Sequence, residues 1–251
     1  MTDLFNDAYA GPASSPTLRR VQRAVYGDEY PDEAEPYSLV TRSDLRRIAQ
    51  DLGVGPGQSF VDLACGAGGP GMWVARETGA AVIGIDLSAV AIRQAVARAE
   101  AFGVAGRVQF RVGDVVATGL PAHGQDGAMS IDALWVVPDK GTALREVARL
   151  LRPGARFIFT TWDFGVSPDD EPQVADHHPL LDAAGFDVEA YEETAGWARD
   201  FQALVTGYEA ARDQLAAEFG EQGADDLLAH HRRRAALLPQ WQRILVIARR
   251  R

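Results

Sequence analysis

The chain has 251 residues, 47% of them apolar, and a formal net charge of −10. That length fits one α/β domain with a cap, and that charge excludes non-specific attraction to a phosphate backbone. Cys65 is the single cysteine, which excludes an intrachain disulfide. No apolar run approaches the ~20 residues that span a bilayer, and no signal-peptide h-region is visible. The expectation is a cytoplasmic protein with no membrane and no nucleic-acid partner.

In chain order, residues 1–37 are polar and rich in proline and tyrosine; Val21, Ala24, Val25 and Tyr26 keep a helical spacing that predicts partial order. Thr41 to Leu52 reads as a helix. Strands are expected at 58–63, 81–86, 107–112, 127–132 and 156–161, with helices at 70–78, 88–102 and 139–151 between them and a loop or short helix near 115–123. Strand and helix in alternation mark a parallel sheet. Ser88 is placed to cap the second of these helices, and Pro153-Gly154 to end the third. Beyond Asp163 the reading is a helix from His177 to Ala184, a strand from Phe186 to Tyr191, two helices from Gly196 to Ala236 broken near Gly220 and Gly223, and a last strand Ile244–Ala248. The domains are read as a lid over 1–52, a core over 53–195, a helical cap insertion over 196–239, and a final strand and tail over 240–251. The basic run His230-His-Arg-Arg-Arg234 and the Arg249-Arg-Arg251 tail read as a solvated helix face and an exposed end.

Phe60-Val-Asp-Leu-Ala-Cys-Gly-Ala-Gly-Gly-Pro-Gly71 reads as strand, tight turn and helix start. Its glycines admit close backbone approach to a ligand, and the helix N-terminus offers free N–H groups. Gly66, Gly68 and Gly71 match G-x-G-x-x-G, with Asp86 at about the ~20-residue distance of a dinucleotide site. Asp62 has no place in that pattern, and a third acid, Asp114, follows the strand Val108–Val112. Acids at the ends of three successive strands suit a small cationic nucleoside. Asp86 would accept from ribose hydroxyls, Asp114 from an adenine amino group, and Asp62 would help hold an ammonium.

In Asp62-Leu-Ala-Cys-Gly-Ala-Gly68, Ile83-Gly-Ile-Asp-Leu87, Gly113-Asp-Val115, Ile131-Asp-Ala-Leu-Trp135 and Leu150-Leu-Arg-Pro-Gly-Ala-Arg156 the chain resembles the class I S-adenosylmethionine (SAM) methyltransferases, over roughly residues 58–192. The resemblance implies an α/β fold with a Rossmann-like, seven-stranded, mostly parallel sheet, an antiparallel last strand and a helical cap. It implies SAM as cofactor, bound by Asp62, Ala64, Gly66, Gly68, Asp86, Leu87, Gly113, Asp114, Val115 and Asp132. Ala64 stands where the family usually has glycine.

Methyl transfer is an in-line displacement that needs the acceptor atom ~3–3.5 Å from the methyl carbon, with water excluded. Ligands of open α/β sheets lie beyond the carboxyl ends of the strands, so the acceptor is expected near Trp135, Val136 and Trp162, under a lid carrying Tyr26, Tyr30, Tyr37 and Trp197. Similar small-molecule O-methyltransferases carry a histidine near positions 135 and 136; this chain has an apolar pair there, which argues for an apolar acceptor. Asp163 is the first candidate base, followed by His177 and His178. Asp176-His-His has no second ligand pair, so no metal is expected. The function expected is methylation, O-methylation first, of a small, largely apolar metabolite in specialised metabolism, with a homodimer as one expected assembly. The alternatives are a cyclase-like enzyme that binds SAM without methylating, and a metabolite-binding module.

Overall fold

The computed structural model describes residues 2–166 and 173–251. Seven strands form one sheet: β1 (Ser59–Leu63), β2 (Ala81–Asp86), β3 (Val108–Val112), β4 (Gln125–Ile131), β5 (Leu151–Phe164), β6 (Phe186–Glu193) and β7 (Trp241–Arg250). Their order is β3-β2-β1-β4-β5-β7-β6. The pairings among β1 to β5 are parallel, and β7 runs antiparallel to both neighbours. The expected Rossmann-like seven-stranded sheet is therefore what the chain forms, with its antiparallel strand one place in from the edge. Strand order reverses between β1 and β4, and the crevice at such a switch point is where open α/β sheets bind ligands.

Helices α1 (Thr2–Ala10), α2 (Pro16–Tyr26) and α3 (Arg42–Asp51) precede the sheet. The helices α4 (Gly69–Thr78), α5 (Ala89–Arg98) and α6 (Lys140–Leu150) connect its parallel strands, and α7 (His178–Ala183), α8 (Trp197–Ala210) and α9 (Arg212–Ala235) follow. The caps are local and legible. Thr41 and Asp44 form a capping box on α3, Ser88 caps α5, and Asp139 caps α6.

Alternation along the strands sorts side chains to two faces. Val61, Leu63, Phe157 and Phe159 pack with Leu144 and Val147 of α6 and Leu181 of α7 on one face. Phe60, Val82, Met129 and Ile158 pack with α3 and α4 on the other. A separate apolar cluster forms where Leu18 and Val21 of α2 meet Leu204 and Tyr208 of α8 and Leu215, Ala224 and Leu228 of α9. Gly207 permits the close crossing of α2 and α8, since a Cβ there would press 2.5 Å from Val21 Cγ1. Glu218 of α9 accepts from Ser15 and Thr17 at the start of α2, pinning cap to lid.

Three expectations need correction. Residues 2–37 are largely helical, because the amphipathic face of α2 is buried against the cap rather than left to solvent. The segment after Gly196 breaks at Ala211 and again at Gly220, whose φ of 76° and ψ of 163° leave the helical region; Gly223 is helical. β5 runs three residues beyond its expected end, because β7 pairs Arg243 with Trp162, Gln242 with Asp163 and Trp241 with Phe164. The 53–195 segment read as the core includes residues 167–172, which lie outside the described residues.

Candidate active site

β1 ends in a turn that Asp86 holds from β2. One Asp86 carboxylate oxygen accepts from the Gly66 N–H at 2.8 Å, and the other accepts from the Ser88 N–H at 2.8 Å. Burial pushes the Asp86 carboxyl above its ordinary value. Asp62 lies on the same strand end, 2% exposed. Burial, and then repulsion from Asp86, push its pKa up to about 8. Gly71 is required here, because a Cβ would overlap the Asp62 carboxylate. Gly66 and Gly68 have φ of 55° and 75°, and Ala64 takes a φ of 54°. The alanine thus holds a left-handed conformation that costs an L-residue about 1–2 kcal/mol, which explains why glycine suits this position. Gly113 donates its N–H to the Asp86 carbonyl at 2.9 Å, tying the end of β3 to that of β2.

A cavity of about 400 Å³ opens above these strand ends, lined by Ala64, Asp86, Leu87, Asp114, Val115, Asp132, Trp135 and Val136, and roofed by Phe5 and Tyr9 of α1 with Tyr37. Among the described residues no lysine or arginine lines it. Tyr9 was not foreseen. Its hydroxyl sits over Gly66, its ring meets Tyr37 edge-on at 6.0 Å, and burial raises its pKa. α1 is fastened here by Asn6, which accepts from Ser88 Oγ at 2.9 Å.

The residues fit SAM. The Asp86 and Asp114 carboxylates, at adjacent strand ends, share a mostly apolar lining with Asp132 and Asp139, which matches a diol and an amino group on a flat nucleoside. A pyrophosphate would find negative charge and no lining cation. Asp132 sits differently from expectation. Its φ is 51°, and its carboxylate is held bidentately by Arg243 at 3.0 and 3.1 Å and by the Leu39 N–H at 2.9 Å. Arg243, itself 1% exposed, also reaches Asp44 at 3.1 Å and Thr194 at 3.1 Å. Asp132 lines the cavity while its charge is spent on this buried network. Arg243 is marked in the sequence only as a cation in an apolar strand.

A second cavity of about 220 Å³ lies under the cap. Trp162, Trp197, Trp241, Phe201 and Tyr208 wall it, and Tyr37, Asp132 and Trp135 line both cavities, so the two adjoin. Trp135 meets Trp162 edge-on at 6.0 Å and is covered by the Arg234 guanidinium at 4.3 Å. His230 and His231 share the lining with Arg234. This corrects the solvated-face reading of His230–Arg234: Arg232 is exposed beside Glu209, whereas His230, His231 and Arg234 turn inward. The Arg249–Arg251 end is likewise no free tail. Arg249 pairs with Glu189, and Arg251 with Asp182 and Asp187. Tyr26 packs against the lid–cap cluster, and Tyr30 is buried beneath Arg23; neither lines the two cavities.

The expected bases fall elsewhere. Because β5 continues to Phe164, Trp162 and Asp163 point to opposite faces. Asp163 accepts from the Tyr191 hydroxyl at 2.8 Å and contacts His177 Nδ1 at 2.8 Å, on the Phe159 side of the sheet. His177 is 1% exposed there, and its Nε2 meets no polar partner among the described residues. His178 is exposed, bonded to Asp176 at 2.7 Å and stacked on Tyr191 at 4.1 Å. None of the three lines either cavity; the base roles are withdrawn.

The fold, the strand-end acids and the paired cavities define a nucleoside-binding α/β domain with a covered apolar annex. Residues 60–154 match the family described as a methyltransferase domain. Methyltransferase GfsG of Streptomyces halstedii is 31% identical over 126 residues, 50% of this chain and 45% of that protein. A probable chloroplastic tocopherol O-methyltransferase of Oryza sativa subsp. japonica is 35% identical over 158 residues, 59% of this chain and 44% of that protein. The chain thus spans less than half the length of these relatives. Among solved structures, phosphoethanolamine N-methyltransferase 2 of Haemonchus contortus with SAM has a TM-score of 0.75 at 19% identity, covering 98% of this chain and 60% of that one. The [4+2]-cyclase SpnF has a TM-score of 0.73 at 22% identity, covering 94% and 92%. These structures share the fold. Residues 60–154 thus carry a methyltransferase domain, and the motifs around it lie at the ends of β1, β2 and β3. Among the described residues, no helix is long and apolar enough to cross a membrane.

Proposed function

We propose that the protein methylates a small, largely apolar metabolite, at oxygen, in the cavity beneath the cap. One observation carries this reading: the acid-lined cofactor cavity adjoins an aromatic cavity through Tyr37, Asp132 and Trp135. SAM supplies a methyl group on a sulfonium. Asp86 would orient it through the ribose, Asp114 through the adenine amine, and Asp62 through the ammonium. Tyr37 and Trp135 would exclude water from the junction and offer ring faces to the cation. The cap walls would hold the acceptor by stacking, leaving its nucleophilic atom toward the junction.

Isothermal titration with SAM tests the first half, and transfer of a labelled methyl from SAM to apolar hydroxylated compounds tests the second. Absence of SAM binding would remove the reading. A second reading, cyclisation without methyl transfer, is supported by the fold shared with SpnF and by the apolar ends of β4 and β5 in the cap cavity. Product formed without label would favour it.

A further inference from the structure

The cap cavity holds a group whose chemistry the methyl-transfer reading leaves unused. We propose that His231 is the base that takes the proton from a hydroxylated aromatic acceptor; this rests on that reading. Its Nδ1 lies 2.8 Å from the Leu227 carbonyl oxygen. A carbonyl only accepts, so the proton is on Nδ1 and the lone pair is on Nε2. The ring is fixed by Phe201, stacked at 6.1 Å, and by Tyr208, edge-on at 5.2 Å. Burial, with a smaller contribution from the Arg234 charge, lowers its pKa, against the opposing effect of the Leu227 bond. The imidazole is therefore neutral at neutral pH and can accept a proton.

Position supports the same role. His231 and Arg234 are three residues apart on α9 and share a helix face, and Arg234 covers Trp135, a wall common to both cavities. The other four histidines do not offer this. His230 Nε2 faces Arg234 Nη1 at 3.3 Å, and a guanidinium only donates, so that lone pair is engaged. His123 sits by Leu151 and Arg250, and His177 and His178 lie outside both cavities. The flat walls formed by Trp135, Trp162, Phe201 and Tyr208 suit a planar aromatic acceptor.

In the step, the acceptor's O–H proton passes to Nε2 and its electron pair stays on oxygen. That pair forms the new bond to the methyl carbon while the carbon–sulfur pair returns to sulfur, leaving a neutral thioether. The imidazolium then gives its proton to water.

The test uses the full chain. Nitrogen NMR of labelled histidine should show His231 neutral, with its proton on Nδ1, at pH 7.5. A proton on Nε2, or a charged ring, would overturn the proposal. Methyl transfer is then measured with 1-naphthol, 4-phenylphenol and 7-hydroxycoumarin. His231→Gln should lower turnover by about 10²–10⁴-fold with SAM affinity unchanged, and should remove the acidic limb of the wild-type pH profile. The charged and titratable groups that face His231 are His230 and Arg234 on α9 and Tyr208 on α8, and Arg19, Tyr37 and Asp132 line the same cavity. Turnover by His231→Gln within threefold of wild type would overturn the role of His231 alone. Intact SAM binding with no transfer to any of the three phenols would overturn the aromatic acceptor. Loss of SAM binding by the wild type would instead remove the underlying reading.

Discussion

The two cavities meet at three residues yet are built in opposite ways. The cofactor cavity rests on carboxylates at the ends of neighbouring strands, Asp86 fixed by the Gly66 and Ser88 N–H groups and Asp114 by the Val116 N–H. The cap cavity takes its walls from α2, α8, α9, β5, β7 and the loop after β4, and its polar groups are set by long-range pairs such as Arg243 with Asp132 and Glu218 with α2. Charge is kept low-lying and acidic in the first, where a cation is to be held. In the second, Arg19, His230, His231 and Arg234 share the lining with Asp132. The junction is firm because Asp132 joins both: its side chain ties β4 to β7 and the Leu39 strap, and its carbonyl accepts from Trp135 Nε1 at 2.9 Å.

The largest effect should come from the network between the two. Arg243→Met strands Asp132 and Asp44 without their cation, and breaking a buried pair from one side costs about 3–5 kcal/mol. Urea denaturation should show that loss; a change under 1 kcal/mol would mean the network is not what holds the junction. On the cofactor side, Asp86→Ala removes a charged acceptor worth about 1.5–3 kcal/mol. SAM affinity should fall about 10- to 150-fold in calorimetry, and an unchanged affinity would misplace the ribose.

Asp62 sharpens the contrast by its pH dependence. Its folded pKa, pushed up to about 8, lies above the unfolded value of about 3.9. The folded state then binds the extra proton, so this group's stabilising contribution is complete below about pH 4 and is lost as pH rises toward 8. Asp62→Asn should flatten that slope in denaturation curves between pH 5 and 8.5; equal slopes would count against the burial argument. If the cofactor's ammonium lies beside Asp62, binding at pH 7 should release a proton, read by calorimetry in buffers of different ionisation enthalpy. The smallest effect is expected at Ala64. Ala64→Gly relieves a left-handed alanine, offset by the freer unfolded chain, for a net gain of about 0.5–1 kcal/mol, measurable as a higher melting temperature.

The sequence made the cofactor half legible because its determinants are contiguous: Asp62 to Gly71, Asp86 and Asp114 each follow a strand with its own periodicity. The cap half was not, for two physical reasons. A strand's end is set by its partner, so pairing with β7 extended β5 and turned Asp163 away from Trp162. And a basic helix face looks solvated until something packs over it; only the α2–α8–α9 cluster shows that His231 and Arg234 face inward. Tyr9 was hidden likewise in a polar N-terminal segment that orders by covering the Gly66 turn.

The central claim is that the cofactor's methyl group points to the junction of the two cavities. Binding SAM labelled with carbon-13 in that methyl and recording its nuclear Overhauser contacts tests this directly. The account predicts contacts to the rings of Tyr37 and Trp135. Contacts to His177 or Tyr191 on the opposite face, or a bound methyl with none to Tyr37 and Trp135, would contradict it.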